Sequence, residues 1–364
     1  MTSEQDAANA FDLGGAIHDV RPHGQGLIND TFVITTKTGR RVILQRINHH
    51  VFSEPERIMN NLRTLLAHVQ QRPTAGKNPA RDLCLPEIIT ARDGKDFVKD
   101  ANGEFWRALS FIENTRTLEA ITNTQQAEEA GFALGRFHAL IHDLDPARLH
   151  TTLPGFHDTP RYLARFTEAA RLKRETHDNT ELRHCLAFVE THRHLADALE
   201  APRREGKLPV RPVHGDTKLN NFLFDIDSGQ AVSLIDLDTV QPGLIHYDIG
   251  DCLRSCANTA GESPGDIGAV RFDLDICQSL LKSYFTEARS FLTPQECHAI
   301  YDGICLVPFE LGLRFLTDQL EGNRYFKTEW PGQNLHRAQT QFALTDSIEK
   351  AEKKIRRMIR DLAN

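Results

Sequence analysis

The spacing of apolar residues changes once along this chain, near residues 111–116, and this change most limits what the chain can fold into. Before it, β-rich runs at 31–36 and 41–45 flank a polar turn at 37–40 and predict a hairpin. Beyond it, long stretches have helical spacing. These stretches are 126–142, 181–199, 273–288 and 346–362. The pattern predicts an α+β chain with a small antiparallel sheet first and a mainly helical region after it.

One helix and three more strands are expected within the first part. Ser53-Glu-Pro-Glu56 combines a capping-box pattern with a proline in the first turn, which is typical of a helix start. The dipeptides Asp93-Gly94 and Asn102-Gly103 favour hairpin turns between short strands. The expected strands are 86–90, 95–99 and 105–111.

Composition and charge narrow the classes of function. The 364 residues are 40% hydrophobic and 26% charged, which is ordinary for a folded globular protein. A formal net charge of −7 gives no electrostatic reason to expect a nucleic-acid partner. The first residues lack a secretory pattern, and no apolar run approaches the roughly 20 residues that cross a bilayer. Because the seven cysteines are scattered without metal spacing, we expect a reduced, cytoplasmic protein with no membrane partner.

The residues best suited to chemistry lie between 213 and 238. Asp216 heads the pattern D-x-K-x-x-N with Lys218 and Asn221, and a later apolar run ends in Asp236. Phosphoryl transfer needs a group that deprotonates the attacking hydroxyl, metal ligands, and a cation near the phosphates. Asp216 offers the first and Lys218 the last, while Asn221 and Asp236 offer the hard oxygen ligands that Mg²⁺ prefers. A single loop aspartate is usually a turn residue or a helix cap, but this ordered set is hard to obtain by chance.

The segment from His214 to Asn221, followed by Ile235-Asp236, resembles the catalytic and metal-binding loops of the aminoglycoside phosphotransferase and choline kinase superfamily. Further segments look like the N-acetylhexosamine 1-kinases of that superfamily. These segments are 44–48, 156–160, 216–221, 235–239, 242–243, 248–251, 312–316, 320–322 and 325–326. The resemblance implies a bilobed protein-kinase-like fold, with a nucleotide-binding lobe at 1–113 and a catalytic, substrate-binding lobe at 114–364. It also implies ATP and Mg²⁺ as cofactors.

The same resemblance assigns roles to single residues. The base and the two magnesium ligands would be, in that order, Asp216, Asn221 and Asp236. Asp248 matches an aspartate that braces the catalytic loop. Arg314 and Tyr325 match positions that line the sugar site. The fork of donors on Arg314 suits sugar hydroxyls or an acetamido carbonyl, although a salt bridge between helices would explain this arginine equally well.

Asp238 has three possible roles on sequence alone. It lies two residues after Asp236, so in an extended run both carboxylates face the same side. It would therefore add to the metal site, bind the sugar, or cap the next turn.

A glycine segment between the first expected strands is a candidate for binding the ATP phosphates. Gly24 and Gly26 would let backbone N–H groups approach the phosphates. The third glycine of the kinase pattern is absent, and Asn29 stands in its place.

The expected ATP site also departs from the kinase pattern at a strand lysine and its glutamate partner. The strand carries Gln45 and Arg46 instead of lysine, and the following helix has Asn60 and Asn61 in its middle instead of glutamate. Because the lysine and the glutamate are both absent, we expect a neutral polar pair in their place, such as Gln45 near Asn61. Strand register decides whether Arg46 turns inward to the phosphates.

We therefore expect ATP-dependent phosphorylation of the anomeric C1 hydroxyl of an N-acetylhexosamine, GlcNAc or GalNAc. One alternative is a kinase of the same fold for a muramic-type amino sugar, choline, homoserine or an aminoglycoside. Choline would require an aromatic cage, and aromatic residues are only 7% of the chain. The other alternative is a catalytically silent regulator that binds nucleotide.

Overall fold

A computed structural model describes residues 3–24, 28–72, 81–173 and 179–364. The first part contains one antiparallel sheet. Its strands are β1 (Ile17–Pro22), β2 (Asp30–Thr36), β3 (Arg41–Ile47), β4 (Ile88–Ile89), β5 (Val98–Lys99) and β6 (Phe105–Ser110). Within the described residues they pair in the order β1-β2-β3-β6-β4, and β5 also pairs with β6. The predicted small antiparallel sheet and its β2–β3 hairpin are thus confirmed.

Alternation along β3 gives the sheet two faces with different neighbours. On one face, Val42 and Leu44 are buried in a small core with Phe11 and Trp106. A short helix, α1 (Ser3–Asn9), covers this core with Ala7 and Ala8. Gln45 lies on the other face, which looks toward the rest of the molecule.

The helix of the first part, α2 (Pro55–Gln70), forms where it was predicted, but its start differs. The N-cap is Glu54, and its side chain makes no capping hydrogen bond. The capping box expected from Ser53 is therefore not formed, and Glu56 pairs with Lys99 instead. The buried face of α2 packs into the large core that continues into the helical part. That face consists of Ile58, Met59, Leu62 and Leu65.

Beyond Ser110 the chain is mainly helical, as predicted. The helices are α3 (Thr124–Ile141), α4 (Thr159–Leu172), α5 (Thr180–His192), α6 (Glu200–Arg204), α7 (Ile245–Cys256), α8 (Leu274–Ala288), α9 (Pro294–Glu321), α10 (Gln333–Lys350) and α11 (Glu352–Ala363). Helix α3 packs on α8, and α9 contacts both α7 and α10. The long helix α9 begins at a capping box formed by Thr293 and Glu296 and ends at Gly322, whose φ of 94° suits glycine.

Two of the predicted helices have different boundaries in the structure. The 181–199 pattern is α5 followed by a 3-10 helix over Arg193–Asp197. The 346–362 pattern is divided at Ala351 between α10 and α11. The apolar face of α11 is covered by its own molecule, because Ile355 and Ile359 are buried in the large core. Across the described ranges, no helix has the length and apolar character needed to span a membrane.

Short strands in the helical part hold the segments that carry the candidate chemistry. They are β7 (Thr115–Arg116), β8 (Arg211–Val213), β9 (Phe222–Asp225), β10 (Ala231–Leu234) and β11 (Gln241–Gly243). Strand β9 pairs with both β10 and β7, and β8 pairs with β11. Loop 214–221 leaves β8 and loop 235–240 leaves β10. The two loops are neighbours, because the N–H of Ile235 donates to the Asn221 carbonyl at 2.9 Å.

Candidate active site

Asp216, Lys218 and Asn221 lie together in loop 214–221. Lys218 Nζ donates to Asp216 Oδ2 at 2.6 Å, and Asn221 Nδ2 donates to the backbone carbonyl of Asp216 at 2.7 Å. Burial alone raises the pKa of Asp216, but the charge and hydrogen bond of Lys218 outweigh this effect and lower it. Asp216 is therefore an ionised carboxylate at neutral pH, with Lys218 as its counter-ion.

Asp248, on α7, braces this loop from behind. Its carboxylate accepts the backbone N–H groups of His214 at 2.7 Å and Gly215 at 2.8 Å. His138 Nε2 donates to the same carboxylate at 2.9 Å. Gly215 has a φ of 86°, and a Cβ there would lie 2.8 Å from the Thr239 carbonyl oxygen, so only glycine fits. These contacts confirm the bracing role expected of Asp248.

His214 fixes the separation of loops 214–221 and 235–240. Its Nε2 donates to the Ile235 carbonyl at 3.0 Å, while its Nδ1 accepts the N–H of Asp216 at 3.3 Å. These partners require the neutral ring with its proton on Nε2, and burial lowers the pKa of His214 in agreement. Thr239 Oγ1 adds a second link by donating to the His214 carbonyl at 2.8 Å.

Asp236 and Asn221 present oxygens that other side chains do not use. Within the described residues, no hydrogen bond or ion pair reaches the Asp236 carboxylate, and Asn221 engages only its Nδ2. Burial and the negative charge of Asp238 raise the pKa of Asp236 to about 6. A half-buried carboxylate without an ion-pair partner and a free amide oxygen fit a hard divalent cation. No cluster of three or more His, Cys, Asp or Glu suited to a metal occurs in the described ranges, so phosphates and water would complete the coordination.

Asp238 is fully engaged by other side chains. Arg107 Nη2 pairs with its Oδ1, and Asn29 Nδ2 donates to its Oδ2 at 2.7 Å. Its side chain is only 3% exposed, and it caps no turn. Asp238 therefore ties the sheet to the end of the glycine segment and caps no turn, while its expected part in the metal site or the sugar site stays a prediction.

Gln45 and Arg46 lie on opposite faces of β3. Gln45 Oε1 accepts hydrogen bonds from Arg107 Nε at 3.0 Å and Nη2 at 2.7 Å. Arg46 pairs with Asp30, and its guanidinium lies 5.8 Å from the Trp106 ring centroid on the far face. Gln45 is linked to Asn29, another candidate for ATP binding, through Arg107 and Asp238. The structure does not bring Arg46 to these residues, because the strand alternation directs it away.

Asn61 does not contact Gln45 as was expected. Its Nδ2 donates to the carbonyls of His150 at 2.7 Å and Val240 at 2.8 Å, and its Oδ1 accepts the N–H of His150 at 2.8 Å. Asn61 thus ties α2 to loop 235–240, whereas Asn60 is exposed.

The glycine segment lies between β1 and β2, as expected for a phosphate-binding loop. Gly24 has a φ of 70°, and nothing lies within 4 Å of the position that a Cβ would occupy. Gly26 is outside the described residues. Asn29 uses its side chain to hold the end of the segment, because its Oδ1 accepts the N–H of Asn48 at 3.0 Å and its Nδ2 reaches Asp238.

A pocket of about 240 Å³ lies beside α9. Aromatic rings surround the Arg314 guanidinium in its wall, with their centroids 5.2 to 5.8 Å from Cζ. These rings belong to Phe156, Tyr162, Tyr325 and Phe326. Asp318 orients the last two by accepting their backbone N–H groups. The structure brings Arg314 and Tyr325 together, and no carboxylate of the described residues forms the alternative salt bridge with Arg314.

His157 connects this pocket to loop 214–221, the catalytic loop. Its Nε2 donates to the Gly215 carbonyl at 3.1 Å, and its Nδ1 lies 2.8 Å from Glu310 Oε1. Its ring stacks on Tyr247 with 4.4 Å between centroids. Burial and the charge of Arg314 lower the pKa of His157, but the charge and hydrogen bond of Glu310 outweigh them and raise it. Since both ring nitrogens face acceptors, His157 is an imidazolium that donates on both sides.

The sequence predicts no role for three residues of this site, Arg107, His157 and Glu310. His157 and its neighbour Phe156 stand in a segment that resembles the hexosamine kinases, but no chemistry was attached to them. Arg107 interrupts an apolar β-run, and an arginine in a buried strand requires partners. The position of Arg107 within an apolar run could therefore have identified it as a candidate.

Comparisons with known proteins identify the family and the fold of this chain. The profile of the APH family, described as the phosphotransferase enzyme family, matches residues 19–275. The fold is similar to an aminoglycoside phosphotransferase from Alicyclobacillus acidocaldarius, with 17% identity, a TM-score of 0.58, and 99% of this chain and 97% of that chain covered. It is also similar to a microcompartment-associated aminopropanol kinase, with 17% identity, a TM-score of 0.61, and 96% and 97% covered. A choline kinase from Cryptosporidium parvum matches at 14% identity, with a TM-score of 0.55 and 95% and 92% covered. The structural matches establish the α+β kinase-like fold, and the profile match over most of the chain shows that this protein belongs to the APH phosphotransferase enzyme family.

Proposed function

We propose that this phosphotransferase transfers the γ-phosphoryl group of ATP to the anomeric C1 hydroxyl of an N-acetylhexosamine, GlcNAc or GalNAc, giving the hexosamine 1-phosphate. One arrangement carries the proposal. The ionised Asp216 carboxylate is hydrogen-bonded to Lys218 and to the Asn221 amide nitrogen, and its charge acts on Asp236. His157 connects the same loop to the Arg314 pocket. The metal ligands and the acceptor pocket would thus meet at Asp216.

In the proposed reaction, Asp216 orients the C1 hydroxyl and accepts its proton as the oxygen attacks the γ-phosphorus in line. The hydroxyl must then lie within about 3 Å of the carboxylate. A hemiacetal hydroxyl is more acidic than an ordinary alcohol, so the lowered pKa of Asp216 is compatible with this role. Lys218 would neutralise charge near the transferred group. Asn221 and Asp236 would hold Mg²⁺, which supplies charge neutralisation at the phosphates.

The Arg314 pocket supports a neutral acceptor over a cationic one. Four aromatic rings form the kind of cage that binds quaternary ammonium ligands, but the Arg314 guanidinium already lies among them. Choline or an aminoglycoside would bring further positive charge beside it. A sugar can instead pack its apolar ring face on the aromatic rings, while its hydroxyls and acetamido carbonyl accept hydrogen bonds from Arg314.

A second candidate acceptor is a muramic-type amino sugar, which carries a carboxylate. Arg161 lines the same pocket, and in the described part of the chain neither Arg161 nor Arg314 has an ion-pair partner. Two guanidinium groups without ion-pair partners would attract such a carboxylate.

A coupled ADP-release assay tests these acceptors. The compounds are GlcNAc, GalNAc, a muramic-type amino sugar, choline and homoserine. We expect turnover with GlcNAc or GalNAc and none with choline. Turnover of choline or homoserine alone would contradict the sugar assignment. Binding of Mg-ATP without ADP release from any acceptor would favour the silent regulator.

Deoxy sugars test the position of phosphorylation. A 1-deoxy analogue of GlcNAc should bind without being phosphorylated, whereas a 6-deoxy analogue should still react. Phosphorus NMR of the product provides direct evidence, because a C1 phosphate couples to the anomeric proton. A C6 phosphate ester would contradict the proposal.

A further inference from the structure

Strand β6, which pairs with β3, carries a cation next to the position where β3 has glutamine instead of lysine. Gln45 stands at the position where kinases of this fold usually carry lysine, and Arg107 on β6 is its partner directly across the ladder. The Arg107 side chain is 1% exposed and holds Gln45 Oε1 through Nε and Nη2. Gln45 thus fixes the orientation of a buried guanidinium on the face of the sheet that looks toward loop 235–240, the metal loop, which carries Asp236.

The carboxylate partner of Arg107 comes from loop 235–240 and not from α2. Nη2 pairs with Asp238 Oδ1, two residues beyond the candidate metal ligand Asp236. A buried guanidinium requires such a partner, because an uncompensated charge in the interior is strongly unfavourable. The other oxygen of Asp238 binds Asn29 at the end of the glycine segment. The sheet, the glycine segment and the metal loop therefore meet at one charged pair.

Arg107 still has donors that no group of the described residues uses. Its Nε and Nη2 are engaged, but its Nη1 forms no hydrogen bond with any described residue. A guanidinium presents a rigid fork of donors that suits phosphate oxygens. An oriented cation with free donors beside the metal aspartate matches the task that the strand lysine performs in other kinases.

We propose that Arg107 is the phosphate-binding cation of this phosphotransferase, moved from β3 to the neighbouring strand, and that Asp238 takes the place of the helix glutamate as its partner. The inference rests on the proposed nucleotide site and is independent of the acceptor. Calorimetric titration of the wild type with Mg-ATP checks that site first. If the wild type fails to bind Mg-ATP, the proposed function fails before Arg107 is tested.

The decisive variant removes both charges together. Arg107→Met with Asp238→Asn leaves no unpaired buried charge, so the protein should remain folded. We expect its affinity for Mg-ATP to fall about 10- to 100-fold, as for a lost charge-assisted hydrogen bond, while its affinity for adenosine stays at the wild-type value. The matched control makes the same two substitutions in the exposed pair of Arg204 and Asp197 and should bind both ligands normally.

A rescue variant tests the placement of the cation. Gln45→Lys combined with Arg107→Met returns the positive charge to β3 while Asp238 stays available as its partner, and this variant should recover most of the affinity for Mg-ATP. Thermal melting confirms that each variant is folded. If the neutral variant binds Mg-ATP as tightly as the wild type, or loses Mg-ATP and adenosine equally, then Arg107 is only a structural tie and the inference is wrong.

Discussion

Asp236 and Asp238 are two positions apart and have opposite surroundings. The Asp236 carboxylate lacks a partner among the described side chains, and burial together with Asp238 raises its pKa to about 6. Asp238 has both oxygens engaged by Arg107 and Asn29. Sequence spacing could not separate the two residues, because their different partners come from distant segments.

We expect Asp238→Ala to lower stability and Asp236→Ala to abolish magnesium-dependent ATP binding. Asp238→Ala leaves Arg107 buried without its counter-ion and should lower the free energy of unfolding by about 3 to 5 kcal/mol. Asp236→Ala removes a carboxylate that lacks a partner, so stability should be unchanged or slightly higher, while magnesium-dependent ATP binding is lost. Urea unfolding and calorimetric titration measure the two effects. A fully stable Asp238→Ala, or normal Mg-ATP binding by Asp236→Ala, would contradict this division.

Asp216→Asn should abolish turnover and leave Mg-ATP binding nearly intact. The substitution removes the charge paired with Lys218 and the group proposed to accept the proton. Loss of a positioned base typically lowers the rate by about 10²- to 10⁴-fold. The coupled assay and titration give both quantities, with Asp93→Asn in an exposed turn as the control. Activity within a few-fold of wild type would refute the assignment.

At the residue scale, prediction succeeded where the partners are close in sequence. Asp216, Lys218 and Asn221 share one loop, so their spacing in the sequence already indicated their proximity. Arg107 and Asp238 are 131 positions apart, and only the packing of the sheet against loop 235–240 brings them together. No local pattern reports such a contact.

At the element scale, an asparagine fixes α2 where kinases of this fold usually use an ion pair. Asn61→Asp would replace an amide that donates to the carbonyls of His150 and Val240 with a buried carboxylate facing them. We expect it to lower the free energy of unfolding by about 3 kcal/mol or more. The neighbouring Asn60 is exposed, and Asn60→Asp should have almost no effect. Urea unfolding compares the two, and equal stabilities would show that Asn61 does not hold the helix.

The type of each long element was predictable, but several boundaries were not. The helical sequence pattern continues across Ala351, where the structure divides α10 from α11. Both helices pack on the same core and keep the same apolar spacing, so the pattern does not reveal the division. The start of α2 also moved, since Glu54 and not Ser53 became the N-cap. Helix ends depend on a few local bonds, which apolar periodicity does not contain.

At the scale of the whole molecule, polar contacts from the first part converge on the segment that follows the candidate metal ligand. Arg107 and Asn29 bind Asp238, and Asn61 binds the Val240 carbonyl. The sequence predicted the two parts of the fold, since each has its own periodicity. It could not predict how they meet, because every one of these contacts joins residues more than 100 positions apart.

His157 contacts three elements of the helical part, and its positive charge strengthens two of these contacts. It contacts Glu310 on α9, the carbonyl of Gly215 in the catalytic loop, and the ring of Tyr247 on α7. Glu310 raises the pKa of His157 against the effects of burial and of Arg314. Stability from the protonated ring is therefore fully present below the unfolded pKa of about 6.5 and is lost as the pH rises through the higher folded value.

We therefore expect the stability advantage of the wild type over His157→Asn to shrink between about pH 6 and pH 9, by about 1 to 2 kcal/mol as for a charged hydrogen bond. Asparagine is the suitable replacement because it tolerates the φ of 58° at this position. His157 also lowers the pKa of Glu310 against burial, so Glu310 changes stability only in acid, below this window. Urea unfolding at both pH values measures the difference, with His18→Asn at an exposed site as the control. If the curves for wild type and His157→Asn run parallel with pH, the imidazolium does not hold the catalytic loop to α9.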